Sequence, residues 1–152
     1  MPGVDAAALP AGVLAQAVVQ APDAVVIVDA AGEVRYWNKG AERIFGYQAH
    51  EMLGSTLHPI IPERLRQHHT EGIRAAVARG SSRYGDDDLL AVPAHHADGR
   101  MISIEFSVAL VTGNDGSVAY VSAITRDVTA GRAQEQELRQ RLEVHEPSQP
   151  AP

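Results

Sequence analysis

The period of the hydrophobic residues changes along the chain, and these changes divide it into predicted elements. Short β-branched runs around a Gly-containing turn are typical of a β-hairpin, whereas apolar residues three and four apart are typical of a helix. The elements predicted for the first half are a helix at 10–20, strands at 24–29 and 33–37, short helices ending at Gly46 and Gly54, and a long helix at 63–79 that ends at Gly80.

Alternation of apolar and polar residues predicts that most of the second half is strand. The clearest run lies at 101–110, where the apolar residues that share one face are Ile102, Ile104, Phe106, Val108 and Leu110. A strand candidate at 88–94 precedes it, and the turn around Asp98 and Gly99 joins the two. One face of this hairpin is therefore predicted to be buried and the other to be exposed to solvent.

A last strand and a polar helix close the predicted domain. Alternation in this strand, which ends near Asp127, predicts one face made of Val118, Tyr120, Ser122 and Ile124. A helix at 128–144 follows, and the Pro-containing end at 145–152 is predicted to be disordered. The sequence thus predicts one folded domain at 21–127, preceded by a cap helix or arm at 1–20.

Composition and charge exclude several classes of protein. The chain has no cysteine, which excludes disulfides, thiolate metal sites and covalent flavin–cysteine photochemistry. Its 13 basic residues are scattered and its net charge is -6, which argues against nucleic-acid binding. No apolar run reaches the roughly 20 residues that span a bilayer, and an acid, Asp5, stands where a secretory signal would be basic. We therefore expect a cytoplasmic protein that binds neither nucleic acid nor membrane.

Three motifs resemble those of the PAS domain, a sensory module of bacterial signal transduction. The stretch YWNKGAERIFGYQAHEMLG is similar to the family's N-terminal signature, ADGRMISIEFSV to its hairpin, and Arg126-Asp127-Val128-Thr129 to the motif that joins the sheet to an exit helix. The resemblance covers residues 21–142. It implies an α+β fold with a five-stranded antiparallel sheet, short helices on one face, an N-terminal cap helix and a C-terminal signalling helix.

The long helix resembles that of heme-binding PAS domains in bacterial gas-sensing kinases and phosphodiesterases. Those domains carry the pattern P-x-x-x-R-x-x-H, and here Pro62, Arg66 and His69 match it. The resemblance implies heme b with His69 as the axial ligand of its iron. Because neutral imidazole is a common ligand of heme iron, the residue type suits this role.

A pocket between the sheet and the long helix is the expected place for such a cofactor. Ile73 lies one helical turn after His69, and Arg74 and Arg83 are candidates to bind heme carboxylates. The other residues predicted to line this pocket are Trp37, Leu90, Ile104, Phe106, Val108 and Ile124.

Several alternatives stay open for the ligand. The oxygen-binding arginine of heme-binding relatives has no counterpart at 86–90, so CO and NO are the expected gases, and Met101, His58 or no residue would be the sixth iron ligand. Flavin is disfavoured because the last three strands carry no Asn or Gln. The other function classes are a sensor of a small organic metabolite and a cofactor-free dimerisation module. Since no nucleophile or phosphate-binding motif is present, we predict no enzyme activity.

The terminal helices are the predicted route of output. Asp127 and Thr129 would pass a change in the sheet to the helix beginning near residue 128, and Leu138 and Leu142 could pair in a homodimer. The output domain is expected to be missing from a fragment of a larger sensor or to act in trans.

Overall fold

The computed structural model describes residues 5–82 and 90–145. The elements, in chain order, are α1 (Val13–Gln20), β1 (Ala24–Asp29), β2 (Val34–Trp37), α2 (Lys39–Phe45), α3 (Ala49–Met52), α4 (Glu63–Arg79), β3 (Leu90–His95), β4 (Met101–Thr112), β5 (Val118–Asp127) and α5 (Thr129–His145). Short 3-10 turns at Ala6–Ala8 and His58–Ile60 complete the chain. The predicted bounds of β1 and α4 match those of the structure, whereas α1 begins three residues later than the predicted helix at 10–20.

One five-stranded antiparallel sheet organises the domain, as the sequence predicted. The strand order is β2-β1-β5-β4-β3, so the first and last strands of the domain pair at its centre. The helices α2 to α4 lie between β2 and β3 in the chain, and the core forms between them and one face of the sheet, here called the inner face. The residues predicted for the sheet and helices therefore form the expected α+β fold.

Both outer strands of the sheet are short. β2 has four residues and its pairing with β1 is irregular between Ile27 and Val28. β3, at the opposite edge, has six residues and contains Pro93 opposite Ser103 of β4. Residues 88 and 89 of the predicted strand lie outside the described part of the chain, as do residues 1–4 and 146–152.

The predicted alternation in β4 is confirmed. Ile102 and Ile104 are buried, and Phe106, Val108 and Leu110 pack partly buried against the same core. Leu90 pairs with Phe106, so it has the same orientation and also belongs to the inner face.

The predicted alternation in β5 is wrong, because the strand contains an extra residue. Thr112 pairs with Val118 whereas Val111 pairs with Tyr120, which leaves Ala119 without an opposite residue. This insertion changes which residues face inward: Val118 and Val121 are buried, whereas Tyr120 and Ile124 are 43% and 53% exposed. Ile124 therefore lies on the outer face of the sheet, and its assignment to the cofactor pocket is incorrect.

The buried side chain of Asn38 joins three elements. Only 3% of the residue is exposed. Its Oδ1 accepts hydrogen bonds from the backbone N–H groups of Val25 (2.8 Å) and Ala41 (2.9 Å), which caps α2. Its Nδ2 donates to the carbonyl oxygens of Val18 (2.8 Å) and Asp23 (3.1 Å). One amide thus holds the end of α1, the start of β1 and the start of α2 together.

Gly40 packs directly against the chain that enters β1. A Cβ atom at this position would lie 2.1 Å from the carbonyl oxygen of Asp23 and 2.8 Å from that of Ala21. We expect Gly40→Ala to lower the free energy of unfolding by more than about 3 kcal/mol, because backbone atoms must move to relieve the overlap. Urea denaturation followed by circular dichroism measures this change.

Gly72→Ala is the matched control for that substitution. Gly72 lies within α4, and a Cβ atom there meets no atom within 4 Å. Alanine is the better helix former, so this variant should gain about 0.5–1 kcal/mol. Equal stability changes in the two variants would show that the close approach at Gly40 is not needed.

No helix within residues 5–82 and 90–145 has both the length and the hydropathy that crossing a membrane requires.

Candidate functional site

Helix α4 carries the residue of greatest chemical interest, His69, on its inward side. Leu65, His69, Ile73 and Val77 follow one another at helical spacing, and all four are partly buried. Ile73 and Val77 pack against the core. None of the 17 residues of α4 is fully buried, however. The helix therefore lies against the core but is only loosely packed on it.

The imidazole of His69 is held in its neutral form. Burial, together with smaller contributions from the neighbouring His58 and His68, lowers its pKa from 6.5 to about 4. Among the described residues, no side-chain or backbone group forms a hydrogen bond with this ring. At neutral pH His69 thus offers a nitrogen lone pair, which is what a transition metal binds.

A cavity of about 290 Å³ opens beside His69, and we call it the rim cavity. Three segments form its walls: the β1–β2 turn, the loop that leads into the 3-10 turn together with the first residue of that turn, and the middle of α4. The lining residues are Ala30, Ala31, Gly32, Thr56, Leu57, His58, His69, Thr70, Ile73 and Arg74. This volume lies just below the range for small-molecule pockets, roughly 300–1,000 Å³.

Arg66 positions the loop wall of this cavity. Its Nε donates to the carbonyl oxygens of His58 (3.1 Å) and Ile61 (3.0 Å), which fastens the 3-10 turn to α4. His58 Nε2 in turn lies 3.3 Å from Thr70 Oγ1. The arginine of the P-x-x-x-R-x-x-H pattern is therefore a structural clamp, and the clamp keeps His58 and His69 at one cavity.

The structure brings some of the predicted site residues together and separates others. His69, Ile73 and Arg74 line the rim cavity. The strand residues of the predicted site lie on the inner face but not among those lining residues; they are Leu90, Ile104, Phe106 and Val108. Arg83 lies outside the described residues.

Trp37 lies in the packed core. It is buried, its ring centroid is 5.4 Å from that of Phe45, and its Nε1 donates to the carbonyl oxygen of Tyr47 at 3.0 Å. These contacts satisfy both the apolar ring and its polar atom. Trp37 is therefore a packing residue beside the helices α2 and α3.

Sequence reasoning missed most of the cavity walls. The sequence predicts the segment with Ala30 and Gly32 only as a turn, and it does not predict Thr56 or Thr70 as site residues. Thr70 directly follows His69 in α4, and this proximity to a predicted site residue was the signal from which its place at the cavity could have been predicted. No local pattern shows that the turn and α4 line one cavity, because the two walls come from residues about 40 positions apart in sequence.

The exit helix is hydrogen-bonded to the sheet as well as covalently joined to it. The N–H of Val128 donates to the carbonyl oxygen of Ser103 (2.9 Å), and the N–H of Ser103 donates to Thr129 Oγ1 (3.0 Å). Asp127 Oδ1 accepts from the N–H of Thr129 at 2.9 Å. The start of α5 is therefore fixed to β4, the strand that contributes Ile104 and Phe106 to the inner face.

Two bacterial sensor proteins are similar to this chain. It is 30% identical over 115 residues to the oxygen sensor protein DosP of Escherichia coli strain K12, an alignment that covers 76% of this chain and 14% of DosP. It is 28% identical over 132 residues to the sensor protein FixL of Bradyrhizobium diazoefficiens, covering 82% of this chain and 24% of FixL. The chain thus spans less than a quarter of the length of either relative.

Solved structures and a family model agree on the fold. A PAS domain from Colwellia psychrerythraea superposes with a TM-score of 0.66 at 25% identity, covering 77% of this chain and 95% of that one. An RNA-binding light-oxygen-voltage receptor superposes with a TM-score of 0.71 at 27% identity, covering 94% of this chain and 40% of that one. The model of the PAS fold matches residues 18–133. The chain therefore belongs to the PAS family and is a sensor domain of the kind found in signalling proteins.

Proposed function

We propose that this PAS domain binds heme b between α4 and the inner face of the sheet, with His69 as the axial ligand. The observation that carries the proposal is the inward-facing, neutral imidazole of His69, which has no hydrogen-bond partner among the described residues and lies on a helix that packs loosely. The match of Pro62, Arg66 and His69 to the pattern of heme-binding relatives supports it. So does the similarity to DosP, which is named as an oxygen sensor.

The surfaces on either side of the proposed site suit a flat apolar ring. Ile73 and Val77 of α4 and Phe106 and Val108 of β4 are only partly buried. A heme is larger than the rim cavity, so α4 must move away from the sheet to admit it. This movement separates Ile73 and Val77 from the core, but because no residue of α4 is fully buried, it should cost less free energy than moving a fully packed helix.

Among the residues that the structure describes, Arg74 is the candidate to bind the carboxylates of the cofactor. It lines the rim cavity one residue after Ile73, where its guanidinium can bind an anion at the solvent-facing edge of a ring held by His69. Heme, when bound, would supply an iron atom that can take up a diatomic gas. Since the inner-face residues of β4 are apolar, we expect CO and NO to bind well and oxygen weakly.

The proposed signal leaves through the hydrogen bonds at the start of α5. A shift of β4 would move Ser103, and with it both Val128 and Thr129. Leu138 and Leu142 of α5 are 58% and 68% exposed, which leaves them available to a second copy of the chain. Homodimerisation through the terminal helices stays a prediction, as do the output domain and a cytoplasmic location. The proposal assigns no catalysis to the domain.

Titration of the heme-free protein with hemin tests this function. We expect a Soret band that differs from that of free hemin and saturates at one equivalent per chain. Carbon monoxide added to the reduced complex should shift this band. A spectrum that remains that of free hemin through the whole titration would overturn the proposal.

A further inference from the structure

The rim cavity has the chemistry of an anion-binding site. Among its described lining residues, Arg74 is the only one with a permanent charge, and no Asp or Glu is present. Within the described part of the chain Arg74 forms no ion pair or hydrogen bond, so no described residue occupies its guanidinium donors.

We propose that the rim cavity binds a small organic monocarboxylate, with Arg74 as the residue that recognises the carboxylate. A guanidinium pairs with a carboxylate through two parallel hydrogen bonds, and a single cation balances a single negative charge. This site does not rest on heme binding, because its walls are complete in the protein without a cofactor.

Neighbouring polar groups can complete the recognition of the anion. Thr56 Oγ1 accepts a hydrogen bond from the backbone N–H of His58 (3.3 Å), which leaves its hydroxyl proton free to donate. The imidazole of His69 has an N–H donor in either protonation state, and no described residue forms a hydrogen bond with this ring. Thr70 is different, since its hydroxyl already donates to the carbonyl oxygen of Arg66 at 3.0 Å. Arg74, Thr56 and His69 are thus the donors available to a ligand.

The remaining walls set the shape and size of the ligand. Leu57 and Ile73 supply apolar contacts, and Ala30 and Ala31 form a small-residue wall at the β1–β2 turn. The nearest carboxylate of that turn, Asp29, is already paired with Arg35 at 2.9 Å, so its charge is partly compensated. A volume of about 290 Å³ admits a short aliphatic or single-ring body attached to the carboxylate.

Titration of the heme-free, ¹⁵N-labelled protein with benzoate tests the proposal. We expect saturable chemical-shift changes at the amides of Gly32, Thr56 and Arg74. Benzamide, which has the same shape without the charge, should bind at least about tenfold more weakly. Arg74→Gln should weaken benzoate binding by about tenfold or more for the same reason.

Arg64→Gln is the matched control, since Arg64 is exposed on the same helix and does not line the cavity. It should leave benzoate binding unchanged. Absence of saturable shifts, equal binding of benzamide, or an equal loss in the Arg64 variant would overturn the proposal. Inorganic phosphate binding as tightly as benzoate would overturn the assignment to carboxylates. Because no heme is present in these titrations, a failure of heme binding would leave their result unaffected.

Discussion

Replacing His69 with alanine is expected to abolish heme binding. Mutation of a residue that only hydrogen-bonds to a metal ligand typically lowers metal affinity about 10- to 100-fold. Loss of the ligand itself should therefore weaken hemin binding by more than about a hundredfold. The Soret band that saturates with the unchanged protein should remain that of free hemin in this variant. Absorption titration at matched protein concentration measures the difference.

His68→Ala is the control for this prediction, because His68 adjoins His69 on α4 but is exposed to solvent. This variant should bind hemin as the unchanged protein does. Added imidazole should restore part of the band in His69→Ala, since the space left by the side chain can hold a free ligand. Retention of the full band in His69→Ala, with its far-ultraviolet circular dichroism intact, would show that another residue binds the iron.

Replacing Asn38 with alanine is expected to cost about 3 kcal/mol or more of the free energy of unfolding. The substitution leaves the N–H groups of Val25 and Ala41 and the carbonyl of Asp23 without this partner, and it removes one of the two donors to the carbonyl of Val18. Each unsatisfied buried group costs about 1–3 kcal/mol, although water can reach some of them after the change. Urea denaturation measures the loss.

Asn114→Ala provides the comparison for Asn38. Asn114 is exposed in the turn between β4 and β5, so its replacement should change stability by less than about 0.5 kcal/mol. Amides of α1 should also exchange with solvent faster in the Asn38 variant, because Val18 is the point at which that helix is held. Equal stability of the two variants would mean that the Asn38 hydrogen bonds contribute little.

The elements of the fold were predictable where the local pattern allows one solution. The β-branched run of β1 and the helical spacing of α4 gave both elements their correct bounds. Gly46 and Gly80 end their helices with φ angles of 79° and 71°, which other residues rarely adopt. In β5 the pattern allows two solutions, because both alternating sets contain good strand formers. The pairing with β4, a contact distant in sequence, places Ala119 as the extra residue and selects the face.

Only the part of the candidate site that lies on α4 was predictable from the sequence. The inward positions of His69 and Ile73 follow from helical spacing, which needs no knowledge of the rest of the chain. The other walls of the rim cavity come from the β1–β2 turn and from the loop that Arg66 fastens to the helix. Their approach depends on tertiary packing, and a single sequence contains no local signal for it.

The two outer strands also bear on how the protein behaves at high concentration. Edge strands have unpaired backbone N–H and C=O groups, which can bind a strand of another molecule and begin aggregation. Here β2 is only four residues long, and Pro93 in β3 has no N–H to offer an incoming strand. Ordered intermolecular sheets are therefore disfavoured at both borders of the domain, so copies that associate should do so through side chains rather than through shared backbone hydrogen bonds.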